Sequence, residues 1–589
     1  MKQFQAAYQN ADSFREAVEA WRRWRVENNA GQALVHIFSD GADDGDVAYA
    51  RTAVEELMPD AACVGASASG NLFEGNITTE RLVVTCTVYE KPDSFVRSCL
   101  IPVENGDIAS LREALRGMRD AFAGVKGVEV LMTIDTIPIH EVCRILQEEI
   151  PDGIPVWGGG AFGDNAFTAY VFDKRSQACT AGVVLTLLGG PDLHIMNSRV
   201  LGWRRLGSPL KVTRAEGKVL YELDGSPAYE IYRHYLKIPN DEHIFYNALE
   251  FPFAVSYGDG MLLRHALACN EDGSIEMSTD IPEGSILHLT YGDPESILEN
   301  VYESVRQLRS FAPEVVSVFD CFGRKTFWGG TEGSRETKPL SEVAPVYGFC
   351  TAGELIRRIS MEHHNLSLVF AGMREGSPVM RGVADQQENV RRRNESTMSM
   401  VSRLANFINT ATAEVVRANE LLSIMAITDQ LTGLYNRGEI QRRIIERIDS
   451  CGSDPTGERA TGIIMIDLDN FKEVNDTFGH QEGDQVLVSV SRLIREMTEA
   501  QRNGAAGGRW GGEEFMLMLP GMDLEETASF AEDLRRRIAA LRFERCGHET
   551  ASFGVAQARP GETENDVIMR SDMALYKAKR LGKNQVQTD

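Results

Sequence analysis

The apolar run Gly462-Ile-Ile-Met-Ile466 reads as a short buried strand that delivers Asp467-Leu468-Asp469 at its end. Ligand groups at strand ends are common in α/β active sites. Further on, Arg509-Trp-Gly-Gly-Glu-Glu-Phe515 leads into Met516-Leu-Met-Leu519, so Gly511-Gly512 lies between two extended runs and predicts a tight hairpin turn. Glycines there also let backbone approach a ligand closely. If the two strands are neighbours, Asp467 converges with Glu513 and Glu514. Carboxylates crowded in this way raise one another's pKa. A hard divalent cation resolves the conflict, and carboxylates that leave positions for phosphate oxygens suit Mg²⁺. The chemistry implied is phosphoryl or nucleotidyl transfer, with metal stabilising the attacking and leaving oxygens. The alternative is a pair of solvated acidic loops; the doubled glycines beside the acids weigh against it.

These residues need elements to hold them, and the chain falls into three regimes. Residues 429–589 read as one α/β domain, long enough to fold alone. Residues 376–428 are polar, with Val401, Leu404, Ile408, Ala411, Val415, Ala418, Leu422 and Met425 recurring in alternating steps of three and four. That 3.5-residue period predicts a coiled-coil seam, with polar layers upstream; a solvated linker is the alternative. Residues 1–375 read as mixed α/β. Ala33–Phe38, Leu82–Val88 and Ala181–Leu188 look like strands, and a helical extension over 1–30 puts Phe14, Ala17, Val18, Trp21 and Trp24 on one face. No internal repeat is evident.

At 589 residues the chain is too long for one core. A formal net charge of −25 argues against a nucleic-acid binder, which needs a basic face. The ten cysteines are scattered singly, so neither a zinc site nor a disulfide framework is expected. No signal peptide or membrane span is evident, and the expectation is a cytoplasmic, soluble protein.

Four blocks together resemble the GGDEF family in order and spacing. They are Asp429-Gln-Leu-Thr-Gly-Leu-Tyr-Asn-Arg437, Asp467-Leu-Asp-Asn-Phe-Lys472, Asn475-Asp-Thr-Phe-Gly-His480 with Gly483-Asp484, and Gly511-Gly-Glu-Glu-Phe515. The resemblance implies a palm-like fold and a diguanylate cyclase that condenses two GTP into cyclic di-GMP and pyrophosphate. It implies Mg²⁺, with Mn²⁺ as a substitute, held by Asp467, the Leu468 carbonyl, Glu513 and Glu514. Glu513 would also take the ribose 3′-hydroxyl proton, and Lys472 would stabilise the transferring phosphate. Lys579 and Lys583 match triphosphate-holding positions. Asn475 and Asp484 match guanine-binding ones, and His480, Gly511 and Gly512 complete the substrate site. Aspartate rather than serine at 484 favours GTP over mixed purines. Many members carry an RxxD product-inhibition site; here Arg502 is present but Ala505 replaces the acid, which predicts weak feedback. Two domains must face each other to close the product ring, so a homodimer through the coiled coil and the cyclase domains is implied.

The upstream region resembles the FIST sensory domain, with its N-terminal part at 31–230 and its C-terminal part at 231–375. The resemblance rests on Leu34-Val-His-Ile-Phe-Ser-Asp40, Val64-Gly-Ala-Ser-Ala-Ser-Gly70, Ile154-Pro-Val-Trp-Gly-Gly-Gly160 running to Gly163-Asp164, Cys321-Phe-Gly-Arg324, and Val346-Tyr-Gly-Phe-Cys-Thr-Ala-Gly-Glu354. It implies binding of a small ligand, an amino acid being one candidate. The glycine clusters read as turns at strand ends or as ligand cradles, and Cys321 as a buried thiol beside a surface arginine, Arg324.

Overall fold

The structure, a computed structural model, describes residues 1–589 apart from 104–105, 135, 164–167, 175, 258–259, 378–399, 452–459 and 502. It divides into two compact units, Met1–Thr412 and Ala413–Asp589, both mixed α/β.

The first unit repeats one module three times. The first copy runs strand Lys2–Ala7, helix Ala11–Glu27, strand Ala33–Ser39, helix Asp44–Leu57, strand Ala62–Ser67 and strand Leu82–Val88. The second runs strand Phe95–Pro102, helix Ile108–Gly117, strand Val125–Thr133, helix Ile139–Glu149, strand Val156–Ala161 and strand Gly182–Gly189. The third runs strand Leu193–Val200, helix Pro294–Phe311, strand Val315–Cys321, helices Phe322–Phe327 and Ser334–Ser341, strand Val346–Thr351 and strand Leu368–Glu375. In each copy the middle two strands pair in parallel. The last strand returns antiparallel beside the earlier of them, and the opening strand pairs antiparallel with the last.

The copies also exchange strands in a cycle. Asn71–Phe73 of the first pairs with Val346–Thr351 of the third. Glu354–Arg357 of the third pairs with Val156–Ala161 of the second. Val171–Asp173 of the second pairs with Ala62–Ser67 of the first. No copy completes its own sheet; alone, each would leave a bare edge strand. The expected border at 230/231 lies between the opening strand of the third copy, Leu193–Val200, and its helix Pro294–Phe311. The expected helical extension over 1–30 also opens as a strand, Lys2–Ala7, paired with Leu82–Val88. Its helix does bury Phe14, Val18 and Trp21 as the periodicity predicts.

Within the glycine clusters, Gly70 and Gly353 lie in bends at strand ends, and other glycines lie inside strands. Gly65, Gly158 and Gly348 hold the same register position in the three copies, opposite Ile37, Val130 and Val318. A Cβ there would come within 2.5, 1.9 and 1.7 Å of those residues' carbonyl oxygens. The repeat escaped the sequence reading because what recurs is a pattern of buried apolar positions and close-packed glycines, which dissimilar sequences satisfy. Arg324 is not at the surface either. It is fully buried, bonded to Glu336 and within 3.7 Å of Asp320.

Residues 201–293 interrupt the third copy with a β-rich insertion. Its sheet runs from Gly260–Arg264 and Phe253–Tyr257 through Ile286–Gly292 to the long strand Trp203–Glu216.

The second unit is a five-stranded sheet ordered Ala506–Gly511, Glu514–Pro520, Thr461–Leu468, Ala551–Gln557, Val586–Thr588. Helices His480–Glu499 and Leu524–Ala540 supply the apolar core on one face; Arg437–Cys451 and Glu564–Arg580 supply it on the other. Helix Met400–Ile427 crosses the division between the units. Its seam residues Val401, Leu404, Ile408, Val415, Leu422 and Met425 are exposed along the single chain. The upstream part of the expected coiled coil, 378–399, lies outside the described residues. Among the described residues no helix is long and apolar enough to cross a membrane, and no disulfide joins the cysteines whose side chains are described.

Candidate active site

The strand Thr461–Leu468 is buried along its whole length. Ile464, Ile466 and Leu468 face one core and Ile463 and Met465 the other. The same alternation turns Asp467 toward the face covered by helix Glu564–Arg580, where Lys579 Nζ lies 2.7 Å from Asp467 Oδ2. The adjacent strand sets Glu514 directly opposite Asp467. The Leu468 N–H donates to the Glu513 carbonyl at 3.4 Å, so both glutamates sit at the end of the Asp467 strand, as expected if the strands are neighbours.

Burial raises the Asp467 carboxyl above its ordinary range; Lys579 pulls it back, while Glu513 and Asp469 add to the rise. Glu514 is raised by burial and by Asp467. Carboxylates are thus crowded around a single lysine, in an all-oxygen donor set that suits a hard divalent cation. Among the described residues no three acidic, histidine or cysteine side chains already stand spaced as a closed metal cage.

Asp469, delivered by the same strand, is committed elsewhere. Its oxygens accept from Thr550 Oγ1 at 2.7 Å, Ser552 Oγ at 2.7 Å and the Asn584 N–H at 3.0 Å. Lys583 donates to Asn470 Oδ1. The C-terminal segment carrying Lys583 is thereby tied to the strand end that carries Asp467.

The predicted hairpin is present, and neither Gly511 nor Gly512 has a left-handed φ. At Gly511 a Cβ would stand 3.2 Å from Glu514 Oε2, so its absence leaves that carboxylate room. At Gly512 a Cβ would meet nothing, which keeps the turn open to a ligand. Arg509, unassigned from sequence, braces the turn. It donates to the Gly512 carbonyl at 2.9 and 2.7 Å and to Asp429 at 3.2 and 3.3 Å. Asp429 in turn accepts from the Thr432 N–H and hydroxyl at 2.9 and 2.7 Å. Asn436 donates to the Ala426 carbonyl at 2.7 Å and accepts from the Glu439 N–H at 3.0 Å, joining the end of the long helix to the start of the next.

Lys472 is exposed on the first turn of helix Phe471–Phe478, one turn before Asn475. Gly479, at φ 87°, reverses the chain into helix His480–Glu499, whose first turns expose His480 and Asp484. A Cβ on Gly483 would fall 2.1 Å from Asn475 Oδ1. That glycine therefore lets the Asn475 amide lie against the next helix, beside Asp484. Ala505 is half-buried before the strand Ala506–Gly511, and Arg502 lies outside the described residues.

Comparison with known proteins accounts for this arrangement. The family model described as diguanylate cyclase, GGDEF domain, matches residues 426–585. Residues 426–585 are a GGDEF domain. The FIST N domain matches 33–226 and the FIST C domain 228–357. Diguanylate cyclase VdcA of Vibrio cholerae is 36% identical over 192 residues, 31% of this chain and 54% of that one. Diguanylate cyclase DgcM of Escherichia coli K12 is 35% identical over 182 residues, 29% of this chain and 41% of that one. The chain thus spans about half the length of the curated relatives it matches. Among solved structures, the coiled coil and GGDEF domain of DgcB from Caulobacter crescentus in complex with c-di-GMP is 31% identical. It covers 33% of this chain and 100% of that one, with a TM-score of 0.29. The GGDEF domain here thus carries the variant signature Gly511-Gly-Glu-Glu-Phe515.

Proposed function

We propose that the chain is a diguanylate cyclase regulated through its FIST region, joining two GTP into cyclic di-GMP with release of two pyrophosphates. The observation that carries this reading is the cross-strand pair Asp467 and Glu514, crowded at a strand end with Glu513 and Lys579 beside an open glycine turn.

In this reading Asp467, Glu513, Glu514 and the Leu468 carbonyl would hold Mg²⁺, or Mn²⁺ in its place, which when bound neutralises phosphate charge as a Lewis acid. Glu513 accepts the 3′-hydroxyl proton of one GTP as that oxygen attacks the α-phosphorus of the other and pyrophosphate leaves; the second linkage forms in the same way. Lys472 meets the charge developing on the transferring phosphate. Lys579 passes from Asp467 to the triphosphate once substrate enters, and Lys583, held by Asn470, lies on the same segment. Asn475 and Asp484 read the guanine edge, with His480 beside them, and the open face of Gly511 and Gly512 admits the nucleotide. A site that hydrogen-bonds its base rejects one lacking the partner groups.

One domain holds one GTP, so the two halves of the ring come from two chains. The exposed seam of helix Met400–Ile427 supports a parallel coiled-coil homodimer that brings them together. No nucleic-acid partner or membrane span is part of this reading, and the proposed location is the cytoplasm.

Product analysis of the full chain with GTP and Mg²⁺, beside Glu513→Ala/Glu514→Ala, tests the proposal. Cyclic di-GMP from the first and none from the second is expected. No product from the full chain, and none from residues 377–589 alone, would overturn it.

A further inference from the structure

Arg264 ends the strand Gly260–Arg264 of the insertion and is only 3% exposed. Its Nη1 donates to the carbonyl of its own neighbour Leu263 at 2.9 Å; among the described residues its Nε has no partner and it forms no ion pair. His363, on the strand Met361–His364, is 4% exposed, and neither of its ring nitrogens has a partner. Room for this imidazole is kept by Gly353, where a Cβ would come 2.4 Å from His363 Nε2. Helix Ile139–Glu149 packs on the same strand and begins without a side-chain cap, with Glu141 in its first turn. Its first turn exposes His140.

The buried Arg324, by contrast, is bonded to Glu336. His265, next in the chain to Arg264, donates its backbone N–H to Ser278 Oγ at 3.3 Å, and Ser278 donates to Asn365 Oδ1 at 3.1 Å, which ties the end of the Arg264 strand to the segment that follows His363. A buried guanidinium without a counter-ion and an imidazole without a hydrogen-bond partner are costly unless something else completes them. The groups that act on one another here are Arg264, His140, His363 and His364, with Cys143 beside Arg264 and with Lys218 and Asp280 at the surface. Burial and Arg264 hold His363 and His140 below the ordinary imidazole range and therefore neutral. Arg264 and Lys218 against Asp280 leave one positive charge, which matches a monoanion better than a phosphate dianion.

We propose that Arg264 and His363 are the buried donors of a binding site for the carboxylate of a small organic acid, with Lys218 and His140 at its mouth, where the insertion meets the second and third modules. Arg264 offers a planar fork that fits a carboxylate with two parallel N–H donors, and His363 adds a third donor. The inference deepens the sensory part of the proposed function but does not depend on cyclase activity, and its test reads binding alone.

The full chain labelled with ¹³C at histidine Cε1 is titrated with acetate at constant ionic strength, with chloride as control. The His363 signal, assigned by its absence in His363→Gln, is expected to shift saturably with acetate and not with chloride. Arg264→Gln is expected to weaken that binding at least tenfold. Arg264→Lys, which keeps the charge and loses the fork, is expected to weaken it several-fold and serves if the glutamine variant does not fold. The absence of a saturable acetate shift at His363 would overturn the proposal. So would unchanged affinity in a folded Arg264 variant. Inorganic phosphate binding tenfold more tightly than acetate would overturn the assignment to a single-charge ligand.

Discussion

In the unit Met1–Thr412, Arg324 is enclosed together with Glu336, so one buried charge is matched by another within the fold. In the unit Ala413–Asp589, Asp467, Glu513 and Glu514 gather at one strand end with Lys579 as the cation bonded to Asp467, and burial raises Asp467 and Glu514. The first arrangement is held within the fold, with Asp320 a further buried carboxylate 3.7 Å from Arg324. The second is charge-deficient, which destabilises the ligand-free domain and leaves binding energy for a cation and a triphosphate. Arg264 and His363 resemble the second case although they lie in the first unit, which is why they stand out there.

Breaking the incomplete site should have the largest effect. Asp467→Asn is expected to lower the rate of cyclic di-GMP formation by about 10³-fold, the scale of losing a principal electrostatic contact. The fold should survive, because Asp467 lies at the end of its strand; rate assays beside circular dichroism check both points. Breaking the completed pair should do the reverse. Glu336→Ala removes the carboxylate bonded to Arg324, leaving only Asp320 at 3.7 Å, and should cost about 3–5 kcal/mol in the first unit. Calorimetry should show that unit's transition lowered and the transition of the GGDEF unit in place.

A subtler change sharpens the same contrast. The raised pKa of Glu514 means that the folded state binds more protons than the unfolded state between the ordinary carboxyl value and the raised one. Its contribution is a penalty, absent below the ordinary value and fully present above the raised one. Glu514→Gln should therefore raise the Tm of the metal-free protein at neutral pH, with the gain vanishing in acid. Mg²⁺ should raise the Tm of the parent chain more than that of the variant. A variant that melts lower at neutral pH would refute this account of the site. The smallest effect concerns feedback: with Ala505 in place of an acid, micromolar cyclic di-GMP should leave the initial rate nearly unchanged. A steep fall in rate would show an inhibitory site built from other residues.

The composition and motif spacing of this chain made the GGDEF unit legible. Asp467, Glu513, Glu514, Lys472, Asn475 and Asp484 fall within short contiguous blocks, because one strand end, one hairpin and one helix junction supply them. The contiguous apolar run Gly462–Ile466 and the 3.5-residue period likewise exposed the strand Thr461–Leu468 and the seam of helix Met400–Ile427. What the sequence could not determine depends on residues far apart in the chain. The bond of Lys579 to Asp467, the brace from Asp429 through Arg509 to Gly512, and the diversion of Asp469 to Thr550, Ser552 and Asn584 all join separate segments. The threefold exchange of strands and the meeting of Arg264 with His363 are longer-range still. Local pattern follows from the geometry of a single helix or strand, which a short stretch of sequence dictates. Which strand borders which, and which buried charge finds a counter-ion, follow from the packing of the whole unit, and only the tertiary structure decided them.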